Sequence, residues 1–148
     1  MVESGHHIEK KLDVQSHTKN LSLIRNEIED AASACGFDDA EIYQMKVAVS
    51  EAAANAIEHG SPLGEKNRVH LTIECNPDRI SIEVVDEGVF KARLPVTDGR
   101  PSHRGRGIFI MTALMDEVSI TEGQEGTSVR LVKLKDKRSF REREQSSA

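Results

Sequence analysis

Apolar residues return along the chain with two different periods, and the switch between them marks the elements. Ile8, Leu12 and Val14 predict a first strand, with imperfect alternation. Leu21, Ile24, Ile28, Ala31 and Cys35 then recur at helical spacing, which predicts a helix over about 19–35. Thr18 is its expected N-cap and Gly36 its expected stop. Asp38 followed by Glu41 has the pattern of a capping box and opens a second helix. Ile42, Met45, Val49, Ala52 and Ala56 form its apolar stripe; Gly60 ends it and Pro62 enforces the stop. The run Ala52-Ala53-Ala54 is small-sided, so a second helix or a ligand can approach closely there.

Beyond the second helix the period falls to two. Val69, Leu71, Ile73 and Cys75 alternate with polar residues, as do Ile80, Ile82 and Val84, and Asn76-Pro77-Asp78 between them is a turn. Residues 87–104 show no period and contain Pro95, Gly99 and Pro101; a loop of that length inside a compact domain usually carries function or is disordered. A third helix is predicted from about Gly107 to Met115. Val118 and Ile120 start another strand, Gly123 and Gly126 bracket a turn, and Ser128–Leu134 supply the last strand. The strands come in adjacent pairs, which predicts an α+β fold: a two-layer α/β sandwich with a mostly antiparallel sheet and helices on one face. One domain is expected over 1–135, with a charged, frayed tail over 136–148.

Composition narrows this further. The 148 residues contain no Trp and a single Tyr, Tyr43, so the core must be aliphatic. A net charge of -5 argues against direct nucleic-acid binding. No apolar run approaches the roughly 20 residues that span a bilayer, and the polar start, Met1 to Lys10, has no signal-peptide core. A soluble, cytoplasmic protein with no membrane partner is expected. Cys35 and Cys75 lie far apart with no metal-ligand spacing, and are expected as reduced core thiols. His6-His7 is expected as a solvated pair.

Four short segments can carry chemistry. Glu51, Asn55 and His59 lie four residues apart and share one helical stripe; alone, they read rather as a solvated polar face. Asp86 ends a buried strand and is followed by Glu87-Gly88; its carboxylate can accept a bond from a ligand amine, while Gly88, lacking a Cβ, can let a flat ring approach. Arg104-Gly105-Arg106-Gly107 opens a helix and offers free N–H groups, a positive dipole end and two forked cations to an anion. Its pattern is neither a Walker A loop nor a dinucleotide fingerprint. Gly126-Thr127 enters the last strand, where the hydroxyl can meet a ligand or cap a turn.

In this order the segments resemble the Bergerat-type ATPases. Within them the chain is similar to the anti-sigma factor serine kinases, on Ser50-Glu51-Ala52-Ala53-Ala54-Asn55-Ala56-Ile57-Glu58-His59-Gly60, on Gly105-Arg106-Gly107-Ile108-Phe109-Ile110-Met111 and on Met115-Asp116-Glu117-Val118. The resemblance runs from about residue 8 to 134. It implies a histidine-kinase-like ATPase fold, with ATP and Mg²⁺ bound. By resemblance Asn55 would ligate Mg²⁺, Glu51 would serve as general base or orient the accepting hydroxyl, and Asp86 would bind the adenine amino group with Gly88 and Thr127 beside it. Gly105 and Gly107 would present backbone N–H groups to the phosphates. The implied partners are a small anti-anti-sigma (STAS-type) protein bearing the acceptor serine, a sigma factor, and a second copy of the chain. His59 matches a common family letter without an assigned role. The run Asp86-Glu87-Gly88-Val89-Phe90 departs from the family's Asp-x-Gly-x-Gly-Phe or Asp-x-Gly-x-Pro-Phe. That leaves open an ATP- or partner-binding module that transfers no phosphate. A histidine-kinase catalytic domain would need a phosphoacceptor hairpin ahead of the first helix, where only about 17 residues stand.

Overall fold

The segments marked by periodicity form five strands and three helices. The computed structural model describes residues 7–88, 103–123 and 126–135, with backbone alone for 103–106. Strand β1 (Ile8–Gln15) is followed by α1 (Leu21–Ala34), α2 (Asp39–His59), β2 (Arg68–Cys75), β3 (Arg79–Asp86), α3 (His103–Leu114), β4 (Glu117–Gly123) and β5 (Gly126–Leu134). The sheet order is β1-β2-β3-β5-β4. Every described pairing is antiparallel, with Leu12 opposite Leu71, Val69 opposite Asp86, and Val84 opposite Val129. The tail from 136 and the loop over 89–102 lie outside the described residues.

Alternation decides which face of the sheet is covered. Val69, Leu71, Ile73, Ile80, Ile82, Val84 and Leu131 are buried on one face together with Ile24, Ile28, Met45, Val49 and Met111 from the helices. Each such side chain contributes roughly 1.5–3 kcal/mol by leaving water. The other face is polar: Glu83 and Arg130 stand opposite each other across β3 and β5, and Ser128 donates to Glu83 at 2.7 Å. Among the described residues no helix is long and apolar enough to cross a membrane.

Three local expectations are corrected. Thr18 does not cap the first helix. Asn20 occupies that place without a side-chain bond, because a short 3-10 turn over Thr18–Asn20 comes first, opened by His17, whose Nδ1 accepts from the Lys19 N–H at 2.9 Å, so α1 starts only at Leu21. The third helix begins at His103, four residues before Gly107. Glycine weakens a helix by about 1 kcal/mol without forbidding it, so sequence pattern alone misplaces such a boundary. Finally, Cys35 and Cys75 are joined as a disulfide rather than left as thiols. Cys35 caps the end of α1 and Cys75 ends β2, so packing the helix on the sheet brings their Cα atoms to 6.5 Å, which a separation of 40 residues cannot reveal.

The start of α2 matches its expectation. Asp38 Oδ1 accepts from the Glu41 N–H at 2.8 Å, and Glu41 Oε1 accepts from the Asp38 N–H at 3.0 Å. Near the end of β3 the polar face carries a charge cluster. His70 Nε2 lies 2.9 Å from Glu87 Oε2, and its Nδ1 lies 3.3 Å from Asp13 Oδ2. The Arg68 guanidinium pairs with Asp13, and the Arg68 N–H donates to Glu87 at 2.9 Å. Hydrogen bonding from Arg68 holds the Asp13 carboxyl below its ordinary value. Glu87 is also lowered, first by its bond to His70 and then by the Arg68 backbone.

Two outcomes follow from these contacts. Asp38→Ala should lower unfolding stability by about 1 kcal/mol, read from urea denaturation, because one helix donor loses its acceptor. The two lowered carboxylates stabilise the fold above about pH 5, and that contribution is lost as pH falls through their folded values. The double variant Asp13→Asn, Glu87→Gln should therefore show a shallower fall of Tm between about pH 5 and 3 than the native chain. Equal slopes would exclude the cluster as a source of acid sensitivity.

Candidate functional site

The capping box and the stop at Gly60 hold α2 as one helix of 21 residues, so Glu51, Asn55 and His59 stand on one stripe. Glu51 and Asn55 are half-buried, whereas His59 is exposed at the end of the helix. The small residues below them admit α3: Ala52 is 1% and Ala53 0% exposed, and Met111 packs into the same core. Gly107 marks the closest approach. A Cβ there would lie 3.0 Å from Asn55 Nδ2 and 3.1 Å from Glu51 Oε1, so the bare α3 backbone meets both polar side chains. Tertiary packing thus brings Gly107 to Glu51 and Asn55, from which the sequence separates it by more than a third of the chain.

Asp86 ends β3 with its side chain turned to the helix-covered face and is 6% exposed. Its Oδ1 accepts from the Thr127 N–H at 3.0 Å and from the Gly88 N–H at 3.2 Å. Thr127 is therefore brought to Asp86, and its backbone N–H makes the contact. Gly60 was legible only as a helix stop. The structure adds a second demand: a Cβ on Gly60 would fall 2.0 Å from Asp86 Oδ2. Gly88 faces the same segment, and a Cβ there would fall 2.1 Å from the Gly60 carbonyl oxygen and 2.7 Å from Pro62 Cδ. The space beside Gly88 is thus filled by the chain at 60–62 rather than left open for a ring.

A cavity bordered by Asn55 and Asp86 lies between α2, α3 and the strands, with apolar walls from Ala52, Val84, Ile108, Met111 and Ile120. Ile108 and Met111 stand in the segment Gly105–Met111 that carries the resemblance, without an assigned role, and Ile120 carried no sequence signal beyond strand periodicity. One buried carboxylate among apolar walls suits a flat heteroaromatic ring with an amino donor. The Asn55 oxygen at the other border, with the Glu51 carboxylate one turn before it on α2, suits a hard divalent cation that keeps other ligands. Among the described residues no three His, Cys, Asp or Glu side chains converge as a metal site. The enclosed space is only about 30 Å³, room for a few water molecules at most. A ring therefore enters only if the α3 side chains at its wall move aside. Arg104, Gly105 and Arg106 lie in the first turns of α3, at the end where helix N–H groups are unpaired.

Residues 14–133 match the family model described as histidine kinase-like ATPase domain. A serine-protein kinase RsbW from Staphylococcus epidermidis is 30% identical over 145 residues, covering 90% of this chain and 89% of its own length. An anti-sigma F factor from Clostridium beijerinckii is 34% identical over 97 residues, covering 60% of this chain and 68% of its own. Among solved structures, the RsbU and RsbW domains of a Mycobacterium tuberculosis protein superpose with a TM-score of 0.64 at 19% identity, over 86% of this chain and 32% of that one. That likeness shows the fold, and the sequence matches show the kinship. The chain belongs to the histidine kinase-like ATPase domain family, among the anti-sigma factor serine-protein kinases.

Proposed function

We propose that the chain binds ATP with Mg²⁺, phosphorylates a serine on an anti-anti-sigma (STAS-type) partner, and sequesters a sigma factor, acting in the cytoplasm as a homodimer. The observation that carries this reading is the cavity with the buried Asp86 carboxylate at one border and Asn55 at the other, where Gly107 brings the start of α3 close to Asn55 and Glu51. That spacing of unlike chemistry suits a nucleotide lying with its base toward Asp86 and its phosphates toward the start of α3.

Asp86 accepts the adenine amino group, and the Thr127 and Gly88 N–H groups hold its carboxylate in place. Asn55 would hold Mg²⁺ through its amide oxygen, and the ion would supply charge neutralisation at the phosphates. The first turns of α3, with Gly105 and Gly107 and the cations Arg104 and Arg106, receive the phosphate oxygens through unpaired N–H groups and the positive helix end. Glu51, one turn before Asn55, takes the proton of the serine hydroxyl as its oxygen bonds to the γ-phosphorus. The bond from that phosphorus to the bridging oxygen breaks, and ADP leaves. Such transfer depends mostly on positioning and electrostatic stabilisation, with a general base adding about 10²–10⁴-fold.

The departure at Asp86-Glu87-Gly88-Val89-Phe90 favours a second reading, a module of the same fold that binds nucleotide or partner and transfers no phosphate. Glu87 in that run is engaged with His70 and Arg68 on the far face of the sheet, which ties the residue after Asp86 away from the cavity.

Calorimetry should show ATP binding that strengthens with Mg²⁺, and Asn55→Ala should abolish the Mg²⁺ dependence while retaining weak nucleotide binding. No heat from the native chain at millimolar ATP with Mg²⁺ would remove the nucleotide reading. Incubation with labelled ATP and the STAS-type partner separates the two functions. Glu51→Gln should bind ATP and partner normally and lose about 10²–10⁴-fold of the transfer rate. Equal transfer by both proteins would take Glu51 out of the mechanism. Tight partner binding with no transfer by either would establish the binding module.

A further inference from the structure

Lys133 projects from β5 opposite Ile80, on the face of the sheet covered by helices, and is 3% exposed. Burying an ammonium is costly unless it is bonded. Its Nζ donates to the Leu114 carbonyl at 2.6 Å, at the last residue of α3. A helix ends there with unpaired carbonyls and a negative dipole end, so a cation is favoured at that point. Two more bonds hold the same corner. The Asp116 N–H donates to Val132 at 2.9 Å, and the Leu134 N–H donates to Asp116 Oδ2 at 2.8 Å. The C-terminal end of α3 is thereby pinned to β5.

Seven residues earlier, about 10 Å along the helix axis, Gly107 rests against Asn55 and Glu51. At its other end β5 supplies Thr127, whose N–H holds Asp86. One strand thus fixes both the buried carboxylate and the base of α3. We propose that Lys133 is a positioning residue of the nucleotide site: it sets the pivot of α3, so that the first turns of the helix swing to admit a nucleotide without sliding along Asn55. The inference rests on the ATP-binding reading and adds a residue that touches neither nucleotide nor metal. A stiff helix carries a displacement at its base to its far end, and about 1 Å of misplacement there can cost on the order of 10²-fold.

A merely stabilising lysine would lower Tm and leave the affinity of folded protein unchanged, so both are measured. Lys133→Met keeps the unbranched stem and removes the donor; Lys133→Gln keeps a neutral donor and is the milder change. Ile28→Val, in the core beneath α1, serves as a control that loosens packing away from α3. Dissociation constants for ATP with Mg²⁺ are taken well below the lowest Tm. Lys133→Met should bind about tenfold or more weakly and Lys133→Gln less severely so, while Ile28→Val lowers Tm and stays within roughly twofold of the native constant. A native constant in folded Lys133→Met, or in Lys133→Gln if the first fails to fold, would overturn the proposal. So would an equal loss of affinity in Ile28→Val. A native chain that binds no ATP would remove the nucleotide reading and this one together, a failure visible before any variant is compared.

Discussion

A carboxylate buried at the end of a central strand has to be satisfied, and the way Asp86 is satisfied organises the region around it. Its Oδ1 takes N–H groups from Gly88, next along its own chain, and from Thr127 on the neighbouring strand. Those two bonds lock the exit of β3 against the entry of β5. They also force the end of α2 to come in without a side chain, because Gly60 packs directly on the same carboxylate. Three segments distant in sequence converge on one charged group. An unpaired charge at this depth would be strongly destabilising, so the convergence cannot loosen without cost.

The second constraint is steric and lies at the other end of the cavity. Helix α3 approaches α2 so closely that a Cβ at Gly107 would lie 3.0 Å from Asn55 Nδ2 and 3.1 Å from Glu51 Oε1, and those side chains would have to shift to admit it. Ala52 and Ala53 make the approach possible from the α2 side. The same contact nearly closes the cavity, since Ile108 and Met111 follow Gly107 on the wall. The far end of α3 is held to β5, by the Lys133 bond to the Leu114 carbonyl and by the Asp116 N–H bond to Val132.

Much of this was legible in the chain, for reasons that can be named. Strand alternation in 69–75 and 80–84 and the stripe of α2 are local patterns, and the two-layer antiparallel sandwich follows from them. The capping box at Asp38 and the stop at Gly60 are likewise local chemistry. Boundaries failed where local signals compete. Ahead of α1 a histidine-capped 3-10 turn takes up Thr18 and moves the helix start to Leu21, and at α3 two glycines masked a helix that begins at His103. The roles proposed for Glu51, Asn55, Asp86 and Thr127 rest on the family resemblance that the order of the motifs carries, whereas Lys133 lies in the last predicted strand with no signal of its own.

By itself the sequence determined the elements, the face each one buries, and the stripe that carries Glu51 and Asn55, because these follow from periods of a few residues. Only the tertiary structure decided which distant backbones touch. The Gly60–Asp86 and Gly88–Gly60 contacts, the pairing of Cys35 with Cys75, and the bond from Lys133 to the end of α3 each join residues separated by many positions. Such contacts are set by how layers stack and how strands register, and no short window of sequence contains both partners.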